Sequence, residues 1–232
     1  MSKKIGVIGG MGPMASQLFY KMVTEHTVAS KDQDHVQLIV FSDSGMPDRT
    51  GAILSGRLDE PRERLLKDAK LLESCGCEAL CVTCNTAHFF VDLIKDDVDV
   101  PFIHMIDETA KRMAEKHPGG KIGIMATDGT VKTELYQKAL KKYGLTPFAP
   151  RDNVQKLVMH EIYDCIKAGK RYDASAWADI ENEYKEAGCD SVLLACTELS
   201  VIKADENLSD WYTDPMLILC EKVIEFAGKE FC

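Results

Sequence analysis

The sequence predicts an α/β protein made of two pseudo-symmetric parallel-sheet domains, with the active site in the cleft between them. Two observations carry this expectation. Short apolar runs rich in Val and Ile alternate with longer segments of helical period, as in parallel strands covered by helices. The chain also repeats itself. Lys4-Ile-Gly-Val-Ile-Gly-Gly10 matches Lys121-Ile-Gly-Ile-Met-Ala-Thr127 at an offset of 117, and Gly76-Cys-Glu-Ala-Leu-Cys-Val-Thr-Cys84 matches Gly188-Cys-Asp-Ser-Val-Leu-Leu-Ala-Cys196 at an offset of 112.

In chain order, Ile5–Ile8 reads as a buried strand ending in glycines and Met14–Ala29 as a helix. Val36–Phe41 is a second apolar run, Glu60–Ser74 a helix with Pro61 in its first turn, and Glu78–Val82 a third strand. The second copy opens with strand Ile122–Met125. Helices follow at Val131–Tyr143, stopped by Gly144, at Gln155–Ala168, and at Ala174–Glu186, stopped by Gly188. Strand Ser191–Ala195 and helix Met216–Phe231 complete the pattern. The boundary falls near Val100-Pro101 or in the turn Lys116-His-Pro-Gly-Gly120, and the last helix returns to the first unit. The expected domains are 1–100 with 210–232, and 101–209.

The 232 residues carry a formal net charge of −9, which argues against a basic nucleic-acid binder. With 45% hydrophobic and 28% charged residues, the chain has the composition of a fully folded protein rather than a disordered one. Met1-Ser-Lys-Lys runs into a short Gly-rich segment without the apolar region or cleavage site of a signal peptide, and no window approaches a membrane span. Nine cysteines are an odd count in a chain too large to need a disulfide scaffold. A reduced, cytoplasmic protein with no membrane partner is expected.

Within Cys75-Gly-Cys77-Glu-Ala-Leu-Cys81-Val-Thr-Cys84, an extended strand puts Cys81 and Cys84 roughly 10 Å apart on opposite faces. That geometry excludes both a disulfide and a shared zinc, so no metal is expected. Cys81, Cys165, Cys189 and Cys220 read as small core hydrophobes. Cys84 and Cys196 do not, because Asn85-Thr86 and Thr197-Glu198 follow them where a strand gives way to a helix. A thiol at the positive end of a helix is expected to have a lowered pKa. Cys84 with His88 four residues on also fits a hydrolase dyad. Two thiols related by pseudo-symmetry across a cleft suit a different task, which is removing a proton from one face of a carbon and delivering one to the other.

The stretches Gly9-Gly-Met-Gly-Pro13, Pro47-Asp-Arg-Thr50, Cys84-Asn-Thr-Ala-His88, Gly123-Ile-Met-Ala-Thr-Asp-Gly-Thr130 and Cys196-Thr-Glu-Leu199 span nearly the whole chain. In these the sequence resembles the cofactor-independent aspartate/glutamate racemases. Glutamate racemases usually carry Cys-Thr-His at the second site, so Glu198 points to the aspartate branch. The resemblance implies two similar α/β domains with substrate between them, no pyridoxal phosphate or other cofactor, a homodimer, and Cys84 and Cys196 as the acid–base pair. Thr83, Ala195 and Ser200 depart from the residues frequent at those positions.

A dicarboxylic amino acid needs donors for its carboxylates. Asn85, Thr86 and Thr197 sit where helix ends receive the α-carboxylate, and Thr127 and Thr130 complete that cradle; the alternative is that they only cap helices. Arg49, in the loop Gly45–Thr50, and Lys167, near a helix end, hold positions resembling the family's cations for the substrate side chain. Gly10-Met-Gly-Pro-Met-Ala15 formally fits a dinucleotide fingerprint but lacks a convincing acid on the next strand. Its glycines are expected to let the backbone, including Met11, approach a small substrate. The reaction expected is aspartate racemisation, the alternatives being glutamate, a broader range of amino acids, or a non-catalytic amino-acid binder.

Overall fold

A computed structural model describes residues 3–232. Its first part contains β1 (Lys4–Gly9), α1 (Pro13–Glu25), β2 (Gln37–Ser42), α2 (Arg49–Ser55), α3 (Asp59–Ser74), β3 (Ala79–Val82) and α4 (His88–Ile94). Helix α5 (Met105–Lys116) leads to β4 (Lys121–Ala126), α6 (Asp128–Lys132), α7 (Leu135–Lys142), β5 (Thr146–Phe148) and α8 (Asp152–His160). A π-helical turn, Glu161–Ile166, precedes α9 (Ala174–Glu186), β6 (Ser191–Ala195), α10 (Thr197–Glu206), β7 (Tyr212–Thr213) and α11 (Pro215–Phe226). The strands form two parallel sheets, of order β2-β1-β3 and β5-β4-β6-β7.

The internal repeat fixes the strand register. Ile5 faces Ala79 across β1 and β3, and Ile122 faces Ser191 across β4 and β6. These are the same pair under the two sequence offsets, so Cys84 and Cys196 leave equivalent strands at equivalent points. A parallel bridge from Leu80 to Phe102 lies beside β3 as β7 lies beside β6.

Both sheets are covered on both faces, which is why β1, β3, β4 and β6 read as continuous apolar runs rather than alternating ones. On one face of the first sheet, Ile5, Val7, Ala79 and Cys81 pack with Phe19 of α1 and with Met216, Leu219 and Val223 of α11. On the other, Ile8, Leu80 and Val82 pack with Leu65 of α3 and Phe90 of α4. Each Val, Ile, Leu, Phe or Met among them contributes roughly 1.5–3 kcal/mol when fully buried. Helix α5 spans the two halves, with Met105 in the α11 layer and Ile106, Ala110 and Met113 against the second sheet.

The structure adds elements that the sequence pattern did not reveal. Strands β5 and β7 have only three and two residues, too few to show a period. Helix α2 begins at Arg49, capped by Asp48 Oδ1 accepting from Gly51 N at 2.6 Å, so Arg49 opens a helix rather than lying in a loop. The helix expected over Val131–Tyr143 is two helices, parted at Glu134, whose φ is 57°. Among the described residues, no helix is long and apolar enough to cross a membrane.

Candidate active site

Cys84 leaves β3 in the turn before α4, and Cys196 leaves β6 as the N-cap of α10. Both are buried, and each lies within electrostatic range of the other. The strand ends are tied together, since Thr197 Oγ1 donates to Thr83 O at 3.3 Å. Cys81 lies in the α11 layer and Cys84 in the α3/α4 layer, on opposite faces of the sheet. All nine cysteines are unpaired.

The environment of Cys196 runs against the expectation of a lowered pKa. Its thiol donates to Glu198 Oε2 at 2.9 Å. Burial pushes the thiol well above its ordinary pKa, Glu198 adds to the rise, and Lys167 opposes it. The helix end at α10 is therefore outweighed by desolvation and a neighbouring carboxylate.

His88 is not a partner for the Cys84 thiol. Its Nδ1 bonds Cys84 O at 2.9 Å and its Nε2 accepts from Met105 N at 3.2 Å, so both ring nitrogens are engaged with backbone. Burial and neighbouring His104 push its pKa down to about 3. A neutral imidazole locked this way has no nitrogen free to take the thiol proton, which removes the geometric basis of the hydrolase dyad.

The two predicted cations converge on the cysteines. Arg49 lies beside Cys84 and donates to Met46 O, Pro47 O and Met11 O at 3.2, 2.8 and 3.3 Å, while its Nε is buried without a partner. Burial works against the Arg49 charge, but Cys84 and Asp48 outweigh it and raise the pKa. Lys167, following the π-helical turn, is ion-paired with Glu198. Burial alone would lower its pKa, whereas Glu198, Cys196 and Cys84 raise it. A Cβ on Gly12 would stand 3.0 Å from Glu198 Oε1, so glycine there keeps the backbone against this pair. Beside them is a cavity of about 280 Å³ bordered by Met11, Met14, Met46, Arg49, Lys167 and Glu198. A larger hollow of about 760 Å³, lined by Phe89, Phe102 and Lys138 among others, involves none of the predicted site residues.

The polar residues form a cluster joining the two halves. Thr86 Oγ1 lies 2.9 Å from the hydroxyls of both Thr127 and Thr130. Thr127 also caps α6 through Thr130 N, so capping and a place in this cluster coexist. Asn85 Oδ1 accepts from Tyr136 at 2.6 Å, and its Nδ2 is buried without a partner. Tyr163 donates to Asp48 Oδ2 at 3.0 Å beside Arg49. Glu198, Tyr136 and Tyr163 were not among the expected site residues. The Cys196-Thr-Glu198 spacing held a signal for the first, but nothing local marks the two tyrosines.

A two-lobed α/β enzyme with one cysteine at an equivalent strand end in each lobe is the class these features describe. Residues 8–223 match the family model for Asp/Glu/Hydantoin racemase, and the chain belongs to that family of amino-acid racemases. It is 28% identical over 204 residues, 85% of this chain and 86% of the relative, to the broad specificity amino-acid racemase RacX of Bacillus subtilis. Among solved structures it resembles Picrophilus torridus aspartate racemase, with TM-score 0.83 and 31% identity over 99% of this chain and 96% of that one. It also resembles an aspartate racemase homologue from Pyrococcus horikoshii, with TM-score 0.77 and 26% identity over 97% and 99%.

Proposed function

We propose that the chain racemises an acidic amino acid, aspartate foremost, by two-base proton transfer between Cys84 and Cys196 without a cofactor. The carrying observation is that the two cysteines end equivalent strands in equivalent register and share one electrostatic environment with Arg49 and Lys167. The thiolate of one cysteine takes the α-proton from one face. The thiol of the other returns a proton to the opposite face, inverting the carbon.

An α-proton is a poor acid, so the developing negative charge needs fixed donors. The partnerless Asn85 Nδ2, with Thr86 and Thr197, suits the α-carboxylate, and Thr127 and Thr130 hold Thr86 in place. Arg49 Nε, also partnerless, suits the side-chain carboxylate, with Lys167 as second cation and Met11 O orienting the guanidinium. The 31% identity with an aspartate racemase supports aspartate as substrate. The same reading takes a cytoplasmic homodimer as the working form, and light scattering on the purified protein tests its oligomeric state.

Incubating each enantiomer of aspartate, glutamate and neutral amino acids in deuterated water, with chiral and mass analysis, tests reaction and substrate together. Inverted aspartate carrying one α-deuterium is the expected product; unexchanged aspartate refutes the reading. A broad-specificity racemase is the second reading, favoured by two features. Lys167 is already neutralised by Glu198, and the adjoining cavity is bordered by the adaptable side chains of Met11, Met14 and Met46. Comparable turnover of neutral amino acids in the same panel would select it.

A further inference from the structure

We propose that Glu198 is a positioning residue that keeps the proton on Cys196 in the free enzyme, so that the two thiols are unequal at rest and the enzyme stands ready for one enantiomer. This rests on the two-thiol reading above. It assigns Glu198 a role through Cys196 rather than contact with the reacting atoms.

The geometry is asymmetric although the backbone is pseudo-symmetric. Cys84 faces the Arg49 guanidinium from α2, whereas Cys196 donates to the Glu198 carboxylate of its own helix. The other titratable groups facing Cys196 are Lys167 after the π-helical turn, Tyr163 within that turn, Tyr136 of α7 and Cys84. Of these only Lys167 favours a Cys196 thiolate, and Glu198 is ion-paired with it. Burial reinforces the preference for the neutral thiol.

From the resting pair, the Cys84 thiolate takes the α-proton and the Cys196 thiol gives its proton to the carbanion. That leaves Cys84 as thiol and Cys196 as thiolate. Loss of the Cys84 proton to solvent and uptake of one by Cys196 then restore the starting form. The enantiomer whose α-hydrogen faces Cys84 meets the resting form directly, while its mirror image requires the proton to leave Cys196 first. Racemisation has an equilibrium constant of unity, so kcat/KM is equal for the two enantiomers whatever the resting form. The asymmetry must be read on the thiols themselves.

The test is alkylation of the intact wild-type protein, E198Q and E198D by iodoacetamide across a pH series, with peptide mass spectrometry reporting the rate at each cysteine. The pH midpoint of labelling reports thiolate formation and is insensitive to differences in access. In the wild type, the Cys196 midpoint is expected at least one pH unit above that of Cys84, about a tenfold difference in thiolate fraction. In E198Q, which also releases Lys167 toward Cys196, the Cys196 midpoint is expected to fall by a unit or more while that of Cys84 stays, and E198D is expected to restore it. Coincident midpoints in the wild type overturn the proposal even if neither variant folds. An unmoved Cys196 midpoint in folded E198Q also overturns it. Failure to racemise in deuterated water would remove the two-base reading without altering these midpoints.

Discussion

The Tyr136 hydroxyl donates a 2.6 Å hydrogen bond to Asn85 Oδ1, fixing the orientation of an amide that begins 51 positions earlier in the chain. Tyr136 is fully buried, and burial holds its phenol well above its ordinary pKa, so it remains a donor. With Oδ1 engaged, Asn85 presents Nδ2 as its free donor. Tyr136→Phe leaves a buried acceptor unpaired and lets the amide turn over, at a cost of about 1–3 kcal/mol. A fall of roughly ten- to a hundredfold in kcat/KM is expected from steady-state kinetics on the folded variant. An unchanged value would show that the amide needs no such anchor.

Cys84→Ser and Cys196→Ser are each expected to stop racemisation, because a serine hydroxyl without an activating base does not replace a thiolate. The remaining cysteine can still exchange the α-hydrogen of one enantiomer on a single face. Slow deuterium uptake of opposite enantiomeric preference in the two variants is the expected mass-spectrometric signature. Racemisation surviving in either folded variant would refute the two-base assignment.

Arg49→Ala should weaken the transition state for dicarboxylic substrates by about 2–5 kcal/mol, the range for leaving a buried charge unpaired. Arg49 also holds the carbonyls of Met11, Met46 and Pro47, so the control is a neutral amino acid, whose turnover falls less if the lost interaction is with the side-chain carboxylate. Equal losses for both substrate types would reassign Arg49 to holding the loop.

His88 ties acid stability to the site. Its pKa in the folded protein is about 3, below the 6.5 of the free side chain, so the unfolded chain binds the extra proton between those values. The stability it contributes is complete above pH 6.5 and is lost as pH falls toward 3. The slope is about 1.4 kcal/mol per pH unit over that window. Urea melts of wild type and His88→Gln at several pH values isolate this contribution, the variant being expected to show the shallower acid dependence. Parallel pH profiles would mean that His88 titrates alike in both states.

Gly10 adopts φ 84°, and a Cβ there would lie 2.4 Å from the Asp43 carbonyl carbon. Gly10→Ala combines left-handed strain of about 1–2 kcal/mol with a clash against backbone that cannot yield cheaply. A loss of stability exceeding that strain is expected in denaturant melts. A change under 1 kcal/mol, by the same measure, would mean that the loop relaxes at little cost.

Much of this architecture is written locally. The apolar runs at Ile5, Ile122 and Ser191 become strands, and the two offsets in the repeat match the register of Ile5 with Ala79 and of Ile122 with Ser191. Alternation along a strand also separates Cys81 from Cys84, since successive side chains point to opposite faces. These features depend on backbone period and on neighbours a few residues away, and a linear pattern encodes both.

What only the tertiary structure decided are the energies between segments distant in sequence. The positive end of α10 suggests an acidic Cys196 thiol, yet burial and Glu198, itself held by Lys167 from beyond the π-helical turn, push that thiol the other way. His88, four residues from Cys84, looks like a base until Met105 occupies its second nitrogen. In each case the sign of the effect is set by desolvation and by which group arrives within about 4 Å, where a low dielectric magnifies interactions that no local period records.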